Sequence, residues 1–141
     1  MKTYKHIYGF LKETPVNLAS RELPIDLCVK DTGVKCYDFN SLSTTTDIVR
    51  HKFVTYIPMF YEIRTSLGFI KMSPDQEMYC ANLRDFASAS SLTVGDILLS
   101  LQGDCPILDI IVWKVCAPIY ALKLNMLDNC FVKNYLVGCG C

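Results

Sequence analysis

Eight cysteines and two histidines are the residues of this 141-residue chain with most capacity for chemistry. The densest group is Val137-Gly138-Cys139-Gly140-Cys141, two thiols one residue apart on a glycine-spaced, flexible tail over 138–141. Adjacent thiols of this kind suit lipid attachment, which makes Cys139 and Cys141 candidate acceptors. One lipid gives marginal membrane binding, whereas two give a stable anchor. A second pair, Cys28 and Cys36, flanks Asp31-Thr32-Gly33. If Lys30 faces Val34 across a three-residue loop, these two lie opposite each other as a cross-strand thiol pair. Third, Cys130 follows Asn129, and with His6 or His51 it would supply the thiolate and base that cysteine catalysis needs.

The Cys-Gly-Cys ending resembles the Cys-x-Cys ending of Rab-type small GTPases, which implies double geranylgeranylation of Cys139 and Cys141. The rest of the sequence departs from that family, since no Gly-x4-Gly-Lys-Ser/Thr phosphate loop occurs. His6-Ile7-Tyr8-Gly9 together with Asn129-Cys130-Phe131-Val132 resembles the histidine and Asn-Cys boxes of the LRAT-like and picornaviral 2A families. That resemblance implies a cysteine-dependent acyltransferase or protease. A buried cysteine at a strand start and two surface histidines account for the same letters. No Cys-x2-Cys or Cys-x4-Cys spacing is present, so neither a metal site nor a cofactor is expected.

Fourteen Lys and Arg balance fourteen Asp and Glu. That removes the basic footprint with which a protein holds a phosphate backbone, and no nucleic-acid partner is expected. Apolar residues make up 51% of the chain and charged residues 20%, enough to bury a core. With no signal-peptide core in residues 1–11 and no Asn-x-Ser/Thr acceptor, the thiols are expected to be reduced and the location cytoplasmic, with peripheral membrane contact through the tail cysteines. The apolar run over 106–127 is interrupted by Asp109, Lys114 and Pro118, and buried strands explain it better than a spanning helix.

The elements that must position these residues read as one compact α+β domain over 1–141. Its small, mixed, mostly antiparallel sheet begins with a hairpin over about 25–39. A long β-rich run over 48–64 has Pro58 inside it, which calls for a bulge. Ser66-Leu67-Gly68 turns the chain, and 69–72 returns as a short strand. Ser73-Pro74-Asp75-Gln76 has the spacing of a capping box, and Tyr79, Leu83 and Phe86 give an apolar stripe, which predicts a helix over about 74–88. Thr93 to Asp96 repeats that spacing, and Ile97, Leu98 and Leu101 before Gly103 predict a second helix over about 94–102. Strands follow over 108–115, 118–124 and 131–137.

These features predict a small, non-enzymatic intracellular interaction or self-assembly module, matrix-like or accessory and of the kind viruses encode. Its expected partner is another protein or a second copy of itself. The alternative is the cysteine enzyme using Cys130 with His6 or His51.

Overall fold

The computed structural model describes residues 7–139. Fifteen strands and two single-turn 3-10 segments occur among them, and no α-helix. The strands are β1 (Phe10–Leu11), β2 (Pro15–Asn17), β3 (Glu22–Pro24), β4 (Gly33–Asp38), β5 (Ser43–Ile57), β6 (Phe60–Thr65), β7 (Gly68–Met72) and β8 (Glu77–Cys80). They continue as β9 (Asp85–Ser88), β10 (Ile97–Ser100), β11 (Gly103–Pro106), β12 (Asp109–Trp113), β13 (Ala117–Leu124), β14 (Asn129–Val132) and β15 (Tyr135–Gly138). One sheet runs in the order β12-β6-β7-β1-β13-β5-β4, and the other in the order β11-β10-β8-β15-β14-β2-β3 with β9 on β8. Every paired strand is antiparallel to its neighbour. One buried cluster draws on both sheets, with Val49, Ile63, Ile70 and Met72 from the first and Met78, Leu98, Cys130 and Val137 from the second.

The expected α+β class is therefore wrong, and both helices fail for the same reason. Over Glu77–Cys80, burial alternates: Met78 and Cys80 are buried and their neighbours half-buried, the period of a strand with one face inward. Leu83, the middle of the supposed stripe, is 57% exposed. Ser73 and Gln76 close a turn, with Gln76 N donating to Ser73 O at 3.1 Å. Thr93-Val94-Gly95-Asp96 is likewise a turn, closed by Asp96 N on Thr93 O at 3.1 Å. Gly95 takes φ 97° in that turn, the position at which glycine suits a type II turn. Ser100 pairs with Gly103 across the β10–β11 hairpin, so Gly103 opens a strand instead of ending a helix.

The hairpin over 25–39 does not form either. Ile25–Leu27 is a 3-10 turn. β4 pairs with β5, placing Cys36 opposite Thr45 and leaving Cys28 outside any strand. Asp31 N donates to Val49 O at 2.7 Å and Val49 N to Thr32 O at 2.9 Å, so the supposed loop residues pair with β5. Pro58 lies in the corner between β5 and β6, and the irregularity in register falls instead at Lys123/Leu124. The run over 131–137 divides into β14 and β15 because Lys133 and Asn134 take φ 48° and 73°, a two-residue turn whose twist suits a hairpin. Asn17 fixes that turn through its side chain, donating to Asn134 Oδ1 at 2.9 Å and accepting from Asn134 N at 2.7 Å.

Candidate functional site

Residues 73–76 join β7 of the first sheet to β8 of the second, and the chain touches this crossover on entering the fold and again on leaving it. On the entry side, Ser73 N donates to Gly9 O at 2.9 Å. Ser73 Oγ donates to Ile7 O at 2.7 Å, and Ile7 N donates to Asp75 Oδ2 at 3.2 Å. Gly9 passes so close to β13 that a β-carbon on it would lie 2.9 Å from Tyr120 O, and its φ of 151° favours glycine.

On the exit side, Val137 pairs with Met78, which sets the end of β15 beside the start of β8. Gln76 is 1% exposed. Its amide nitrogen donates to Gly138 O at 2.8 Å and to Glu77 O at 2.9 Å, so both amide hydrogens are engaged. The carbonyl of the Gly138–Cys139 peptide thus receives a buried side-chain donor. A β-carbon on Gly138 would lie 3.2 Å from Glu77 Cβ and 3.8 Å from Glu77 Oε1, which puts the Glu77 side chain beside the Gly138 α-carbon. Cys139 N donates to Asp128 O at 2.7 Å, fixing the peptide plane.

Cys139 is half-buried and disulfide-bonded to Cys130, which is fully buried on β14. Both line a cavity of about 10 Å³ with Phe10, Gln76 and Gly138. Cys139 also lines an open cleft of about 590 Å³ with Tyr8, Glu77, Lys123, Asp128 and Gly138.

The other described cysteines are differently placed. Burial pushes the Cys28 thiol up to about 11, against a partial offset from Lys52. Burial, with the Asp47 carboxylate second, pushes Cys36 up to about 12. Both thiols are protonated at neutral pH and unreactive. Cys80 Sγ donates to Asn82 Oδ1 at 2.8 Å, Cys105 is buried, and Cys116 is exposed. Among the candidates from sequence, Cys130 is bonded to Cys139, while His51 is exposed on β5 with its ring beside Phe53. No hydrogen bond joins His51 to Cys130. His6 and Cys141 lie outside the described residues. Gly138 is the last residue of β15, so the segment expected to form a flexible tail begins inside a sheet. Among the described residues, no group of three or more His, Cys, Asp or Glu is arranged to hold a metal ion, and no helix is long and apolar enough to cross a membrane.

Ser73, Gln76, Glu77 and Gly138 were missed from sequence. Their one visible signal was Ser73-Pro74-Asp75-Gln76, whose polar ends look like a capping box while the tertiary structure directs them to Ile7 and Gly138.

No family model matches the sequence, and no curated protein matches it. Solved structures do match the fold. A bacterial intein-like domain from Clostridium thermocellum superimposes with a TM-score of 0.87 at 18% identity, covering 94% of this chain and 99% of that one. A DnaB intein from Synechocystis sp. PCC 6803 gives 0.81 at 16% identity, with 96% and 100% covered. The gp41-1 intein gives 0.78 at 15% identity, with 94% and 98% covered. Inteins catalyse protein splicing, an autocatalytic reaction. The expectation of a non-enzymatic, self-assembling, matrix-like or accessory module is overturned by these matches. What the matches establish is the fold: two curled antiparallel sheets in the arrangement of the inteins, also known as the Hint fold.

Proposed function

We propose that this chain is a cysteine-dependent self-processing domain that breaks its own Gly138–Cys139 peptide bond. The observation that carries this role is the Gln76 amide donating to Gly138 O at 2.8 Å, with a thiol on the next residue. A thiol one residue after a carbonyl can attack it through a five-membered ring, which needs little reorganisation when the peptide is already held. The Cys139 proton passes to the Glu77 carboxylate, the Sγ–C bond to Gly138 forms, and negative charge develops on Gly138 O. The buried Gln76 donor stabilises that charge without having to reorient. The C–N bond then breaks, and the proton passes from Glu77 to the departing Cys139 nitrogen. The product is a thioester at Gly138 and a free amine on Cys139, open to hydrolysis or to transfer onto another nucleophile.

The fold shared with inteins supports self-processing in general. The residues of the site favour the exit side for that chemistry, because there a thiol directly follows the carbonyl that Gln76 holds. Five of the described cysteines are unpaired, which suits a reducing compartment, and reduction is also what frees Cys139 from Cys130.

The test is to incubate the full chain with dithiothreitol and hydroxylamine and to follow its intact mass. The expected product is a chain ending at Gly138 as the hydroxamate. A chain that stays whole through the incubation, with iodoacetamide added only at its end showing that Cys139 had been a free thiol throughout, refutes the proposal.

A further inference from the structure

The geometry points to Cys139 as a thiol-exchange site that external thiols enter from one side only. Thiol–disulfide exchange is an in-line displacement, so the sulfur attacked must be open opposite its partner. Cys139 is half-buried and lines the 590 Å³ cleft, while Cys130 is 0% exposed, lies within β14 and is absent from that cleft. An incoming thiolate therefore bonds to Cys139 Sγ, the S–S bond breaks, and the electron pair leaves on Cys130, which takes up a proton.

The two classes of reductant then give different products. A monothiol leaves a mixed disulfide on Cys139 and a free, enclosed Cys130 thiol. A dithiol repeats the displacement with its second sulfur, departs as a cyclic disulfide and leaves both cysteines reduced. Cys139 is thus a site of S-thiolation by small monothiols, and the state of this one sulfur records which kind of thiol the protein has met. The exchange stands independently of self-processing, whereas its consequence rests on that role: a capped Cys139 cannot attack Gly138, and a freed one can.

The experiment treats the oxidised full chain, under native conditions, with glutathione or with dithiothreitol, quenches with iodoacetamide and maps both cysteines by mass. Glutathione adducts are expected on Cys139 over Cys130 by at least about tenfold, with dithiothreitol leaving both alkylatable. Adducts on Cys130, an even partition, or no exchange without denaturant would overturn the inference. The Cys130→Ser variant separates the two proposals. If glutathione caps Cys139 in the wild type but neither reduced protein cleaves, exchange survives and self-processing falls. If oxidised wild type cleaves as fast as reduced Cys130→Ser, control by the disulfide falls.

Discussion

Replacing Gln76 by methionine keeps the side chain's length while removing both amide hydrogens. Gln76 is 1% exposed, and its nitrogen serves two carbonyls, at 2.8 and 2.9 Å. Leaving a buried acceptor without a donor costs about 1 to 3 kcal/mol. Two such losses, softened by the gain of an apolar side chain, destabilise the fold by about 2 to 4 kcal/mol, and the melting temperature falls by roughly 5 to 15 °C. The effect on chemistry is separate. Losing one preorganised donor to a developing oxyanion slows reaction about 100- to 1,000-fold, or about 2.7 to 4 kcal/mol of barrier. Cleavage of the reduced chain should be timed by intact mass at a temperature where circular dichroism shows the variant folded. Gln76→Glu supplies the complementary measurement. An ionised carboxylate would repel the charge growing on Gly138 O, whereas a protonated one donates to it, and burial raises the pH at which that proton is held. Its cleavage should be suppressed at neutral pH and partly restored in acid. Folded Gln76→Met cleaving at the wild-type rate would refute the assignment of Gln76.

Three further outcomes follow from the packing. Gly138→Ala forces a β-carbon to within 3.2 Å of Glu77 Cβ, so the urea midpoint should fall by an amount equivalent to about 1 to 3 kcal/mol. Iodoacetamide at pH 8 should label exposed Cys116 first, while Cys28 and Cys36, enclosed and held up to about 11 and about 12, label only on unfolding. The Asp47 carboxylate is pushed up by burial but drawn lower overall by the N–H groups of Leu127, Met126 and Ile48. A pKa depressed by folding contributes stability that is present above the unfolded value, about 3.9, and lost as pH falls through the lower folded one. Urea midpoints measured from pH 5 downward should therefore decline, and Asp47→Asn should flatten part of that decline.

The sequence made the strand β7 legible, because Ser66-Leu67-Gly68 announces the turn that joins it to β6. It also marked both stretches that became the site, the glycine-spaced thiols and Ser73-Pro74-Asp75-Gln76, while assigning neither its use. The failed helices show why. A capping box is defined by polar side chains three residues apart, and a tight turn between strands uses the same residues at the same spacing. Local spacing cannot tell a side chain that bonds its own backbone from one that bonds Ile7 or Gly138, which are distant in sequence. The pairing of β4 with β5 in place of the segment before it had the same origin, since a turn signal names a reversal but not its partner.

By itself the sequence determined that this protein would bury a core, carry no basic footprint and set a thiol directly after a glycine. Only the tertiary structure decided what that thiol faces. The crossover between the sheets brings Gln76 to the Gly138 carbonyl, and β14 brings Cys130 to Cys139. Such contacts depend on strand register, which is fixed jointly by the whole buried cluster and is written in no single stretch of residues.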